Sequence, residues 1–204
     1  IYSEDFSVTY KNDNSPLTIA DQQANEIIEG YLSKTNIPIL SEEGKLTDYK
    51  VRKNWELLWI VDPLDGTKEF VKRNGEFTVN IALVKDGVPI LGVIFVPVKG
   101  WLYYGSSKGS YREIDDEKVL LPMAKKSTVF KVVGSRSHQS PETKEYFENI
   151  QEKKENVEIV SMGSSVKICL VAEGSADVYP RFAPTMEWDT AAGHAIAKYA
   201  GKKL

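Results

Sequence analysis

Cysteine is almost missing. Cys169 is the one thiol among 204 residues, so no internal disulfide forms, which fits a reducing compartment. No apolar run is long enough to span a bilayer, and the first residues lack the basic, apolar and small-residue order of a signal peptide. A cytoplasmic location is the expectation. Charge of one sign is missing as well: the net charge is -3, and Lys and Arg are scattered rather than striped along a face, which excludes the electrostatic footprint of a protein that binds polymeric DNA or RNA. There is no internal repeat and no low-complexity tract. What is there is an ordinary globular balance, 42% hydrophobic and 27% charged, in a chain long enough to bury a substantial core. It opens on Ile1 rather than Met and stops at Leu204 just after a helical pattern, so flanking elements are expected outside it.

Periodicity divides the chain. Phe6 to Tyr10 reads as a weak strand, and from Thr18 a helical pattern sets in with Ala24, Ile27, Ile28 and Tyr31 on one face. Asp21 falls in its first turn, where an acid is favoured by the helix dipole alone. Ile37 to Leu40 is a short strand running into Ser41-Glu42-Glu43-Gly44, and Thr47 to Trp55 reads as a polar connection. Leu57 to Val61 is a buried strand. Beyond it Phe77, Val79, Ile81 and Leu83 alternate with Thr78, Asn80, Ala82 and Val84, Lys85-Asp86-Gly87 signals a hairpin, and strands over Pro89 to Val96, Trp101 to Gly105 and Gly109 to Arg112 complete an antiparallel meander.

Near residue 127 the pattern changes to strands alternating with helices. Val129 to Val133, Val157 to Val160 and Asp177 to Pro180 read as strands. Ser140-Pro141-Glu142 starts one helix and Gly163-Ser164-Ser165 a second, which is apolar nearly all round and keeps Cys169 as a small core residue. Trp188 to Tyr199 makes a final amphipathic helix in which His194 is structural. The expected fold class is α/β, with an α+β half over 1–127 that binds metal and phosphate, and a smaller α/β half over 128–204.

The chemistry belongs to Trp59-Ile60-Val61-Asp62-Pro63-Leu64-Asp65-Gly66-Thr67-Lys68-Glu69-Phe70. Two acids at the mouth of an apolar strand are costly to desolvate unless something positive neutralises them. A proline-directed turn aims Asp62, the Leu64 carbonyl and Asp65 at one volume, and such hard oxygen donors suit Mg2+ or Mn2+. Gly66 and Thr67 then offer backbone N–H groups at the start of a helix near Lys68, a place for phosphate. A bare Asp-Gly-Thr would be an ordinary turn, but its direct entry from an apolar strand favours metal-assisted phosphoryl transfer. Haloacid-dehalogenase-type phosphatases are the weaker alternative, because their paired aspartates lie two apart and Asp62 and Asp65 lie three apart with a proline between them.

This stretch resembles the signature of the lithium-sensitive, metal-dependent phosphatases typified by inositol monophosphatase. Its Asp-Pro-Leu-Asp-Gly-Thr-Lys-Glu-Phe form is closer to the bisphosphate nucleotidase branch, the CysQ-like enzymes. Trp188-Asp189 followed by Ala191-Ala192-Gly193 is similar to a second family motif, so the resemblance covers nearly the whole chain. It implies a layered αβαβα sandwich of the sugar-phosphatase type. It also implies that Glu42, Asp62, the Leu64 carbonyl, Asp65 and Asp189 bind two or three Mg2+ ions, with Mn2+ as a substitute and Li+ as an inhibitor. Thr67, hydrogen-bonded to Asp21, would orient the attacking water. Glu42, Leu64, Asp65, Gly66, Thr67 and Asp189 would also border the substrate, and Ser164, Lys167, Arg181 and His138 would meet the nucleotide. The implied activity is hydrolysis of the 3'-phosphate of adenosine 3',5'-bisphosphate to AMP, associated with sulfate assimilation, on a small phosphorylated substrate. An inositol or sugar-phosphate monophosphatase is the nearest alternative and a catalytically silent phosphate-binding protein a more distant one. A monomer and a homodimer fit equally.

Overall fold

The computed structural model describes residues 1–4, 6–10, 16–45, 47–123, 128–135 and 140–204. An antiparallel pair, β1 (Val8–Tyr10) and β2 (Pro16–Thr18), leads into α1 (Ile19–Leu32). Thr18 caps α1 by accepting from the Ala20 N–H, and Asp21 accepts from the Thr18 N–H in return, a reciprocal arrangement that satisfies donors left open at a helix start. The helix does not bury the face expected of it. Asp21 and Asn25 are its buried residues, while Ile27 lies outside and Tyr31 is 70% exposed. Its inner side meets Ser41 and Thr67, which donate to Asn25 and Asp21, so polar groups belong there.

β3 (Ile39–Ser41) runs parallel to β4 (Leu57–Asp65), and the connection between them, expected as plain loop, contains one turn of helix, α2 (Tyr49–Arg52). After α3 (Thr67–Val71) the chain forms β5 (Thr78–Lys85), β6 (Val88–Val96), β7 (Trp101–Ser106), β8 (Gly109–Ile114) and β9 (Glu117–Leu120). Among the described residues these strands make a seven-stranded sheet in the order β3-β4-β5-β6-β7-β8-β9, antiparallel from β4 onward. The sequence pattern did not announce β9: three of its four residues are exposed, only Val119 is half-buried, and the strand depends on a tight Asp115-Asp116 turn with positive φ at both positions.

In β4 the structure departs from the proline turn expected after Val61. The strand continues to Asp65, and its pairing with β5 slips, so that Asp62 faces Asn80 and Asp65 faces Thr78. One extra residue on β4 is a bulge, and Pro63 is tolerated there because a bulge leaves one position outside the ladder. The consequence is geometric. Residues three apart in a regular strand point to opposite faces, but the bulge puts Asp62 and Asp65 beside Asn80 and Thr78, which share a face.

The second part holds β10 (Phe130–Ser135) and β11 (Val157–Met162), parallel to each other, with α4 (Pro141–Lys153) between them in sequence, capped by Ser140. The strand expected at Asp177 to Pro180 is reduced to a single bridge between Val132 and Val178, since Pro180 has no N–H to extend a ladder. The boundary expected at residue 127 lies outside the described residues. Two helices that follow it, α5 (Val166–Glu173) and α6 (Glu187–Tyr199), pack on the large sheet, where Ile168, Cys169, Ala192 and Ile196 meet Ala82, Ile94, Val96 and Tyr103. Mixed sheets with flanking helices are the observed α/β architecture. Among the described residues no helix is long and apolar enough to cross a membrane.

Both helices are held by more than apolar contact. At the far end of α5, buried Glu173 accepts from Tyr103 Oη at 2.9 Å and pairs with Arg112 at 3.0 Å. α6 lies so close to β6 that a Cβ on Gly92 would overlap the Ala192 carbonyl. Gly92→Ala is therefore expected to lower unfolding free energy by about 1–3 kcal/mol, the usual cost of overpacking, as urea denaturation will show.

Candidate active site

β4 delivers the central acids. Asp62 is 1% exposed, and its Oδ1 accepts from the Leu64 N–H at 3.0 Å. Burial, then the charges of Asp65, Glu42 and Asp189, hold its carboxyl well above the usual carboxylate range. Glu42 arrives because β3 lies alongside β4: its own N–H donates to the Val61 carbonyl at 3.1 Å. Asp189 arrives on α6, where it is the third helical residue and not the N-cap; its Oδ2 accepts from Thr185 Oγ1 at 2.7 Å and from the Met186 N–H at 2.9 Å. Burial also lifts the Asp65 carboxyl, against the lowering effect of Lys167 and of a hydrogen bond from Ser165.

Asp21 is buried on α1 and anchored by Thr18, whose N–H and Oγ1 reach its Oδ2 at 2.8 and 2.6 Å. Its other oxygen, Oδ1, accepts from Thr67 Oγ1 at 3.1 Å, and the Leu64 carbonyl stands 3.4 Å from the same hydroxyl. Capping α1 and holding Thr67 are thus one arrangement. Gly66, between Asp65 and Thr67, adopts φ of 95°, a conformation that β-carbon sterics disfavour. It leads directly into the first turn of α3.

Across the cleft, Ser164 and Lys167 stand at the start of α5 and Arg181 in the segment before α6. Ser164 has φ of 46°, and Lys167, only 5% exposed, donates to the Ser164 carbonyl at 2.5 Å while lying over the Tyr179 ring. Burial lowers the Lys167 pKa, with Asp65 pulling it back up. Arg181 is exposed and donates to the Pro184 carbonyl at 3.1 Å. A cavity of about 750 Å³ joins the two sides; Asp65, Gly66, Thr67, Ser164, Lys167, Arg181 and Asp189 are on its wall, with Asp21, Glu42 and Asp62 off the lining. His138 lies outside the described residues.

The structure adds residues that pattern reading passed over. Ser165 gives its N–H and its hydroxyl to Asp65 Oδ2, so the amide at the start of α5 faces a protein carboxylate. Asn80, 1% exposed, donates to Ser165 Oγ at 3.0 Å, and its Oδ1 is the one buried side-chain polar atom among the described residues without a partner. An unsatisfied acceptor of this kind costs about 1–3 kcal/mol. A polar residue at the buried, even-numbered face of β5 was the available signal: Thr78, Asn80, Ala82 and Val84 are buried, and the more apolar Val79, Ile81 and Leu83 are half-buried.

Among the described residues no group of three or more His, Cys, Asp or Glu side chains is arranged to hold a metal ion by itself. The donor set nevertheless fits a hard divalent cation, since four carboxylates share one region around the deeply buried Asp62. Mg2+ binds characteristically through one or two carboxylates together with waters and substrate phosphate, not through an all-protein cage.

The whole chain, residues 1–204, matches the model of the inositol monophosphatase family. A relative from Shigella flexneri, the 3'(2'),5'-bisphosphate nucleotidase CysQ, is 48% identical over 196 residues, which cover 95% of this chain and 77% of that one. The crystal structure of CysQ from Bacteroides thetaiotaomicron, described as a bacterial member of the inositol monophosphatase family, superposes with a TM-score of 0.86 at 58% identity, over 94% of this chain and 76% of that chain. A staphylococcal inositol monophosphatase-1, soaked in LiCl, shares the fold with a TM-score of 0.77 at 19% identity, over 96% and 72% of the two chains. The chain belongs to the inositol monophosphatase family.

Proposed function

We propose that this protein is a metal-dependent phosphatase that removes the 3'-phosphate of adenosine 3',5'-bisphosphate, releasing AMP and phosphate. The observation that carries this is that Asp65, Glu42 and Asp189 lie near enough to the buried Asp62 for their charges to raise its carboxyl, with Thr67, two residues after Asp65, hydrogen-bonded to Asp21; the resemblance to CysQ nucleotidases supports the choice of substrate. Glu42, Asp62, Asp65, Asp189 and the Leu64 carbonyl would hold Mg2+, with Mn2+ as a substitute and Li+ as an inhibitor. Bound there, a divalent cation neutralises phosphate charge and lowers the pKa of water.

The protein's own groups do the rest. Thr67 Oγ1 donates to Asp21 Oδ1, which leaves its lone pairs to accept from the attacking water and fixes that water's direction. As the water oxygen bonds to phosphorus, its proton passes to Thr67 Oγ1 and the Thr67 proton passes to Asp21 Oδ1, held in place by Thr18. The bond from phosphorus to the ribose 3'-oxygen breaks in line, the leaving 3'-oxygen takes a proton from a solvent water, Asp21 gives its proton back to solvent as the products leave, and no covalent enzyme intermediate forms. Ser164, Lys167 and Arg181 hold the remaining phosphate charge on the far wall, with Gly66 lining the near one. We further propose cytoplasmic residence and a place in sulfate assimilation, both on the same resemblance.

Phosphate release from adenosine 3',5'-bisphosphate is expected to exceed that from inositol 1-phosphate, to cease in EDTA, to return with Mg2+ and to fall with Li+. A preference for inositol phosphate would replace the substrate assignment. Asp62→Asn is expected to lower turnover by about 100-fold or more, the scale of losing one preorganised charge-stabilising group, while melting higher than the parent without cation, because a buried charge is gone.

The pH dependence has a definite sign. A carboxyl whose folded pKa is raised stabilises the protein below its unfolded pKa and loses that contribution as pH rises through the folded one. For Asp62 and Asp65, both raised, the cation-free protein is expected to lose melting temperature as pH climbs from about 4, the ordinary Asp value, toward neutrality. Added Mg2+ is expected to restore more at pH 7 than at pH 4, as parallel thermal melts will show.

A further inference from the structure

One oxygen of Asp65 collects donors from two elements. Ser165, on the threshold of α5, offers its N–H at 2.6 Å and its hydroxyl at 2.5 Å to Oδ2. Thr78 and Asn80 of β5 reach the same oxygen at 3.4 Å each. A carboxylate oxygen has about two lone-pair directions, so the two short contacts hold Asp65 and the two long ones do not.

Asn80 acts at one remove. The Ser165 hydroxyl has a single proton and two acceptors in reach, Asp65 Oδ2 at 2.5 Å and the Asp189 carbonyl at 3.0 Å. Asn80 Nδ2 donates to that hydroxyl oxygen at 3.0 Å, which occupies a lone pair and directs the proton away from β5. The amide orientation is itself determined, because the reverse one would aim Asn80 Oδ1 at the Asp65 carboxylate and at the lone pairs of Ser165.

We propose that Ser165 and Asn80 are positioning residues that lock Asp65 Oδ2, so that Oδ1 is presented to the divalent cation, and that this clamp couples cation affinity to phosphate affinity. The inference rests on Asp65 being a cation ligand. Ligating carboxylates take their orientation and basicity from the hydrogen bonds behind them. Here the hydrogen bonds come from the turn that also carries Ser164 and precedes Lys167, so phosphate held by that turn and cation held by Asp65 share one set of contacts. Coupling of this kind is reciprocal: each ligand tightens the other by the same factor.

The test is Mn2+ binding to the full chain by calorimetry, without substrate, for the parent, Ser165→Ala, Asn80→Ala, the double variant and Ser165→Thr. Ser165→Ala is expected to weaken Mn2+ by about 10-fold or more and Asn80→Ala by a smaller factor. The double variant is expected to match Ser165→Ala alone, since Asn80 works through the Ser165 hydroxyl, and Ser165→Thr, which keeps the hydroxyl, to recover the parent affinity. Inorganic phosphate is expected to tighten Mn2+ binding in the parent and to lose most of that effect in Ser165→Ala. Alanine variants that bind Mn2+ as the parent does would overturn the proposal, and independent losses in the double variant would overturn the part given to Asn80. If Ser165→Ala does not fold, Asn80→Ala decides by the same measurement. A parent that binds Mn2+ but does not hydrolyse the bisphosphate nucleotide would refute the proposed function while the variants still decide the clamp; a parent that binds no Mn2+ would refute both.

Discussion

Like charges brought together at the buried end of a strand repel, and most of this molecule can be understood as the framework that holds them there. Asp62 has almost no access to water and feels three other carboxylates. Left to local preference, those side chains would turn outward to solvent. They are kept in place by backbone: a bulge in β4 that turns Asp62 and Asp65 to one face, a parallel neighbour that carries Glu42 alongside, and a helix seated on bare β6 backbone that carries Asp189. Burial of apolar surface between the sheet and α5 and α6 supplies the driving force, and the electrostatic cost is borne at one end.

α5 is tied to the large sheet at both ends. Its first residues meet Asp65 and Asn80, and its last, Glu173, is tied to Tyr103 and Arg112 on the sheet. Between these ends its side chains are almost entirely apolar and buried. A helix pinned at both ends transmits displacement poorly along its length but sets the position of its first turn well. That suits a turn whose amides and hydroxyl must meet a carboxylate within a few tenths of an ångström.

Sequence pattern carried the site further than it carried the fold's details. Asp62, Asp65 and Thr67 stand out because an apolar strand runs straight into them, and Asp189 only through the likeness of its tryptophan and small-residue surroundings to a family motif; their roles belong to the proposed function. Most strands of the large sheet were legible from alternation. β9 was not, since an edge strand with charged, exposed residues has no apolar face to show, and the strand from Asp177 was overread because Pro180 halts pairing after one bridge. α1 differs for a physical reason: its inward face serves polar partners, so of the apolar residues at helical spacing Ile27 and Tyr31 are left in water and Ala24 and Ile28 are half-buried. Asn80 and Ser165 stayed hidden because their importance lies in contacts across 85 positions of chain, which no local pattern encodes.

The contact between Gly92 and Ala192 also bears on how such a scaffold diversifies. Because α6 is registered against β6 by main-chain proximity, the backbone of Asp189 takes its place from the sheet, and only Thr185 and Met186, just before the helix, turn its carboxylate. The stretch from Gly174 to Pro184, which carries Tyr179 and Arg181, is then free to lengthen, shorten or exchange side chains by insertion and drift without moving the acid that follows. Side chains along that stretch can therefore change while the acid stays fixed.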